Sequence, residues 1–189
     1  MKAYSQYLEE QPVTYICHYD SPMGGITLAS GGKELTGLWF DGQKYFGSTV
    51  SERCAEKPLP VFDLTMHWLD IYFSGKAPDF TPPLKTEATP FRKEVWEILL
   101  TIPFGQTMTY GEIADRIARR RGLAKMSPQA VGGAVGHNCV SLIIPCHRIL
   151  GANGSLTGYA GGIDRKRRLL AMEKAAVDPK ILLKAHAAD

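Results

Sequence analysis

No long apolar run occurs anywhere in the chain. The amino terminus, MKAYSQYLEEQP, lacks the hydrophobic stretch of a secretory signal, and nothing approaches the roughly 20 apolar residues of a membrane span. A soluble, intracellular, cytoplasmic protein with no membrane association is therefore expected. Cysteine is scarce: Cys17, Cys54, Cys139 and Cys146 are the only four in 189 residues and show no CxxC spacing. That argues against a disulfide framework and implies free thiols in a reducing compartment. Cys17-His18, Cys54 and His67 also lack metal-ligand spacing, so no metal is expected. There is no internal repeat. What remains, 44% hydrophobic and 22% charged residues, is the composition of an ordinary globular chain, long enough for one large domain or two small ones.

Each half is short of one sign of charge. Residues 1–90 hold 7 Lys+Arg against 11 Asp+Glu, a net of −4, whereas residues 91–189 hold 15 against 8, a net of +7. Such asymmetry suits a polyanionic partner for the basic half, or simply a solvated basic face.

The first half reads as three short strands, Val13 to Tyr19, Gly25 to Ala29 and Leu35 to Phe40, separated by turn chemistry at Ser21-Pro22-Met23-Gly24 and Gly31-Gly32. An amphipathic helix over Asp63 to Ser74 follows, with Leu64, Trp68, Ile71 and Tyr72 as its apolar stripe. A proline-rich stretch around Pro82-Pro83 then separates the halves. The expected domains are residues 1–78, a linker at 79–88, a second domain at 89–175 and a frayed tail at 176–189.

The second half reads as helices. Thr89-Pro90 is an N-cap followed by proline at the first helical position, and Phe91, Val95, Ile98 and Leu99 form a stripe. Thr109-Tyr110-Gly111-Glu112 is a capping box opening a helix that Arg119-Arg120-Arg121-Gly122 closes. Ser127-Pro128 caps another, Gln129 to Val135. This pair has the outline of a helix-turn-helix. Gly132 and Gly133 each cost about 1 kcal/mol in a helix interior relative to alanine. They serve either a tight helix-to-helix contact or close approach to another surface.

Leu142, Ile143 and Ile144 read as a buried extended run, with Pro145 favouring a strand that ends at Cys146. A tight turn at Gly151 to Ser155 and a loop at Leu156 to Gly162 follow. Asp164 is placed as the cap of a last helix whose first turn, Arg165 to Arg168, is basic and opposes the helix dipole. Those cations are expected to face solvent or an anionic partner.

Ile143-Ile144-Pro145-Cys146-His147-Arg148 joins a thiol to an imidazole. The thiolate is the nucleophilic form, and a nearby base or positive charge favours it. Neighbours in an extended chain point to opposite sides, so either the chain turns sharply at Pro145 or a water relays the proton between Cys146 and His147. Glu173 is the one carboxylate on the apolar face of the last helix and could orient His147. A satisfied core histidine and a solvent-facing glutamate are the alternative.

Pro145-Cys146-His147-Arg148 after an apolar run, preceded by Ala130-Val131-Gly132-Gly133-Ala134 and Asn138 and followed by Tyr159-Ala160-Gly161-Gly162, resembles the O6-alkylguanine-DNA alkyltransferases, or methylated-DNA:protein-cysteine methyltransferases. The similarity covers about residues 88–174. It implies an α+β protein: a small RNase H-like amino-terminal domain, with an antiparallel β-meander and a helix, and a mainly helical DNA-binding domain carrying a helix-turn-helix.

The implied function is direct-reversal DNA repair. The alkyl group of O6-methylguanine, and of O4-methylthymine, passes irreversibly to Cys146 after the base is flipped out through the minor groove of duplex DNA. By the resemblance, His147 is the water-linked base, Glu173 its orienter, Asn138 the residue ordering the active-site turn, and Tyr110 the tyrosine that helps swing the nucleotide out. Ser127, Gln129, Ala130, Gly133 and Arg148 fall on the DNA side, and Tyr159, Ala160 and Gly161 wall the base pocket. No cofactor is needed, and a monomer is expected. A lesion-binding protein that does not transfer is the alternative; a Cys-His hydrolase or thiol redox enzyme is a third reading. Two positions depart from the family pattern. Gln129 stands where an arginine is frequent, and Cys139, either a small buried residue or a redox partner of Cys146, stands where proline is usual.

Overall fold

The structure, a computed structural model, describes residues 13–178. Three strands, β1 (Thr14–Ser21), β2 (Gly24–Ser30) and β3 (Leu35–Phe40), form an antiparallel meander. Pairing of Ser21 with Gly24 leaves Pro22-Met23 as a two-residue turn, and Gly24 takes a φ of +105° there. A fourth strand, β4 (Cys54–Glu56), runs parallel to β1 and gives the order β3-β2-β1-β4. Sequence pattern missed β4 because its three residues are all exposed and carry no alternation.

Helix α1 (Pro60–Phe73) starts three residues earlier than expected, with Pro60 in its first turn. That start brings Val61 and Phe62 into the helix and moves the buried row to Val61, Phe62, Thr65, Trp68, Leu69 and Tyr72. Leu64, assigned to the stripe, is instead 38% exposed.

In the second half, α2 (Pro90–Leu100) is capped by Thr89, whose side chain accepts from Arg92 N. Helix α3 (Tyr110–Arg121) has the anticipated capping box at Thr109 and Glu112 and ends on Gly122 at φ +64°. Helix α4 (Pro128–Gly136) is capped by Ser127 and held against α2 by Trp96, whose Nε1–H donates to Ala134 O at 2.9 Å. A short parallel pair, β5 (Met108–Thr109) with β6 (Ile149–Leu150), ties the start of α3 to the chain just beyond Cys146. Helix α5 (Ile163–Met172) completes the fold.

Three expectations in this half are corrected. Leu142 to Ile144 is buried but forms turns, not a strand: Leu142 has a φ of +69°, and Ile143 N donates to Ser141 O at 2.8 Å. Asp164 does not cap α5. Gly162 stands at that position, and Asp164 accepts from Arg167 Nη1 at 2.6 Å within the first turn.

The basic turn is only partly given over to solvent: Arg168 is exposed and Arg167 pairs with Asp164, but the rest turns inward. Lys166 is fully buried and donates to Ile149 O and Thr157 O. Arg165 Nε donates to Met23 O at 3.0 Å, and Arg168 Nη2 to Pro22 O at 2.8 Å. These cations bind α5 to the β1–β2 turn, which explains their place at an unfavourable helix end.

The two halves share one continuous hydrophobic core that runs from Met23 to Leu169. At the edge of the sheet, Leu38 N donates to Cys139 O and Leu38 O accepts from Ser141 N, both at 2.8 Å. The segment leading to Cys146 is therefore paired onto β3, which also protects that edge.

Candidate active site

Asn138 folds the segment that presents Cys146. Its Oδ1 accepts from Val140 N at 3.0 Å, and its Nδ2 donates to Ile144 O at 2.8 Å and to Cys146 Sγ at 3.1 Å. Pro145, at φ −82° and ψ 65°, makes a tight turn closed by Cys146 N to Ile144 O at 2.8 Å. Cys146, His147 and Arg148 then form a single 3₁₀ turn. The chain turns sharply at Pro145, but the turn brings no hydrogen bond between the Cys146 thiol and the His147 ring, whose Nδ1 has no partner among the described residues.

Cys146 is buried. Burial pushes its thiol pKa up, while the Asn138 donor, the Lys166 charge and the backbone N–H groups of Cys146 and His147 pull it down. Burial also holds Lys166 down to about 8, with Cys146 acting in the opposite sense. A cation therefore stands in the electrostatic neighbourhood of the sulfur.

His147 is buried with Nε2 at 2.7 Å from Glu173 Oε1. A carboxylate oxygen at that distance accepts a hydrogen, so Nε2 carries the proton and Nδ1 presents the lone pair. Nδ1 is buried and has no hydrogen-bond partner among the described residues. Burial lowers the His147 pKa, which keeps the ring neutral and able to accept. Burial alone would raise the Glu173 carboxyl, but the donors His147 and Arg148 overcome it and hold Glu173 well below the usual carboxylate range.

Arg148, expected on the DNA side, is turned inward and 8% exposed. Its Nε and Nη2 donate to Glu173 at 2.9 and 3.0 Å and its Nη1 to Ile102 O at 2.6 Å. Glu173 is a buried ion-pair partner, not a solvent-facing residue.

A cavity of about 680 Å³ opens beside this cluster. Tyr110, Gln129, Gly132, Gly133, Tyr159 and Ala160 are among its lining residues. Tyr110 Oη donates to Gly158 O at 3.1 Å, and burial together with a charge on Cys146 would push its phenol up to about 12. Tyr159 stands edge-on to His147 with ring centroids 6.4 Å apart. A methyl group added at Gly161 would lie 2.6 Å from the Tyr159 ring, so glycine there makes room for that ring.

On α4, a methyl group added at Gly132 would meet Tyr110 at an ordinary 3.8 Å, and one at Gly133 would meet nothing within 4 Å. Neither glycine serves a tight contact inside the protein. Ser127, Gln129, Ala130 and Gly133 are all exposed, and Ser127 Oγ donates to Gln129 Oε1 at 3.0 Å. Cys139 is buried, and burial pushes its thiol up to about 11. Both Cys139 and Cys146 are free thiols.

Sequence reasoning missed four contributors. Tyr72 of α1 donates to Glu173 Oε1 at 2.6 Å, yet its spacing marked it only as a core residue. Lys166 was hidden in a run of cations. Lys44 and Tyr45, from the loop after β3, line the cavity's far wall, with Tyr45 stacked on His137 at 4.3 Å. No local signal distinguishes them.

Family models match both parts of the chain: "6-O-methylguanine DNA methyltransferase, ribonuclease-like domain" over residues 14–86 and "6-O-methylguanine DNA methyltransferase, DNA binding domain" over residues 90–175. The methylated-DNA–protein-cysteine methyltransferase of Mycobacterium tuberculosis is 44% identical over 170 residues, 88% of this chain and 98% of the relative. That of Haemophilus influenzae is 40% identical over 161 residues, 85% of this chain and 86% of the relative. The crystal structure of Mycobacterium tuberculosis OGT in complex with DNA has a TM-score of 0.74 at 40% identity, covering 92% of this chain and 99% of that one.

Proposed function

From the premise that the chain belongs to the 6-O-methylguanine DNA methyltransferase family, we propose that Cys146 is the single-use acceptor of the alkyl group and that α4 delivers the damaged base to it. The chain is a DNA-binding methylated-DNA–protein-cysteine methyltransferase that repairs DNA by direct reversal. One observation carries the finer reading: a buried thiol that receives the Asn138 amide and feels the Lys166 charge, followed in the chain by His147, whose neighbour Tyr159 lines a cavity with room for a purine.

In this reading the exposed start of α4, with Ser127, Gln129, Ala130 and Gly133, lies in the minor groove. The base rotates out of the stack, at an unstacking cost of a few kcal/mol, into the cavity walled by Tyr110, Tyr159 and Ala160, with Gly161 behind the Tyr159 ring. His147 Nδ1 takes the proton from Cys146 Sγ through a water. The thiolate attacks the alkyl carbon in line, the S–C bond forms, and the C–O6 bond breaks with its electron pair on guanine. Tyr110 and backbone N–H groups stabilise the leaving base. The thioether has no hydrolytic exit, so each chain acts once. A monomer suffices, and the cytoplasm is its place of action. No helix among the described residues is long and apolar enough to cross a membrane.

The test is intact mass after incubation with a duplex containing O6-methylguanine. The expected gain is one methyl group, absent in Cys146→Ala. Binding of the duplex with no gain in mass would support a lesion-binding protein instead.

A further inference from the structure

One polar atom of the first domain reaches the charge cluster of the second. Tyr72 is fully buried on α1, and its hydroxyl lies 2.6 Å from Glu173 Oε1 and 3.2 Å from His147 Nε2. The ring is fixed by Trp68, stacked at 5.2 Å between centroids, and by edge contacts to Phe73 and Phe104 at 5.4 and 5.9 Å. Phenylalanine would fill the same space. A buried hydroxyl carries a desolvation cost unless it is used, and here it is used on the carboxylate that holds the base.

Resting on the reading of Cys146 as alkyl acceptor and His147 as its base, we propose that Tyr72 is a positioning residue that sets the basicity of His147 through Glu173, making the first domain part of the transfer machinery. Glu173 Oε1 has two lone pairs and three donors around it: His147 Nε2–H, Tyr72 O–H and Arg148 Nη2–H. Oε2 is occupied by Arg148 Nε and by Gly105 N. Every donor on Oε1 weakens what that oxygen can offer His147. Tyr72 thus keeps the imidazole less basic than a bare His–Glu pair would be.

The other titratable or charged groups that face His147 are Arg148 beside it in the chain, Lys166 from α5, Cys146, and Tyr159 from the cavity wall. All of them stay in place when only the hydroxyl is removed. During transfer the Sγ proton moves to His147 Nδ1, the S–C bond forms and the C–O6 bond breaks onto guanine. The Nε2 hydrogen stays shared with Glu173, and Tyr72 keeps its own proton throughout.

Two forms of the full chain test this: Tyr72→Phe, and 3,5-difluorotyrosine incorporated at position 72, which keeps the ring and hydroxyl but donates more strongly. The readouts are the His147 imidazole titration by NMR in the unalkylated protein, assigned with His147→Gln, and the pH dependence of single-turnover methyl transfer. Losing the donor makes Glu173 a better acceptor, so Tyr72→Phe should move the titration and the acid limb of the rate profile up by about one pH unit, a tenfold loss on that limb. Difluorotyrosine should move both down.

An unmoved titration in both forms would overturn the proposal, as would a uniform loss of rate with the midpoint unchanged. If the unaltered chain transfers no methyl group, the assignment of Cys146 fails, and the titration still decides the role of Tyr72.

Discussion

Glu173 shows how much one residue can carry. Its carboxylate orients His147, neutralises Arg148 and receives Tyr72, all without exposure to solvent. Glu173→Gln leaves Arg148 buried without its counter-charge, so a loss of about 3–5 kcal/mol is expected at pH 7, read from denaturant unfolding. Glu173 has a depressed native pKa, so its contribution is fully present above its unfolded value of about 4.3 and is lost as pH falls through the native one. The gap between the two proteins should therefore close in acid. The structure brings Asn138, Cys146, His147 and Glu173 together; the first three share one short stretch of sequence, whereas Glu173, 26 residues beyond His147, is tied to them in the sequence only by the family resemblance. Tyr72 is in the core as its spacing implies, but the partner of its hydroxyl lies 101 residues away and leaves no local signal. Arg148 turns inward against expectation, because direction into or out of a core is set by what packs opposite. Lys166 was misread for the same reason: a cation in a basic run looks solvated until its partners, the carbonyls of Ile149 and Thr157, are known.

Among the elements, α4 separates folding from function most cleanly. At Gly133 an added methyl group meets no protein atom within 4 Å, so Gly133→Ala should be neutral or stabilise the fold by about 0.5–1 kcal/mol through helix propensity. If α4 lies against DNA, the same substitution should weaken duplex binding, and thermal melts beside binding isotherms will show whether the two effects part. Gln129→Arg, at the exposed start of the helix, should add roughly one unit to the slope of log affinity against log salt. An unchanged slope would remove position 129 from the phosphate contacts. The ends of α2, α3 and α4 were readable from sequence because a cap is decided within four residues, as Thr89, Thr109 and Ser127 show. The turn at 138–146 was not. Apolar Leu142 to Ile144 followed by proline has the pattern of a strand, and only Asn138 and the pairing of Leu38 with Cys139 and Ser141 bend it.

For the molecule as a whole, the division near residue 88 is a division of sequence more than of packing. One core spans both halves, β3 lends its edge to the active-site segment, and Arg165 and Arg168 fasten α5 to the β1–β2 turn. A single cooperative transition is expected in calorimetry, with calorimetric and van't Hoff enthalpies in agreement; two resolved transitions would mean independently folding domains. The central claim concerns the fate of one sulfur. It is tested most directly by adding a large excess of O6-methylguanine duplex and counting methyl groups gained per chain, with the modified peptide located by mass spectrometry. The expected result is a plateau at about one methyl per chain, all of it on Cys146, as a thioether without hydrolytic release requires. Continued turnover past one equivalent, or a methyl group on any other residue, would contradict it.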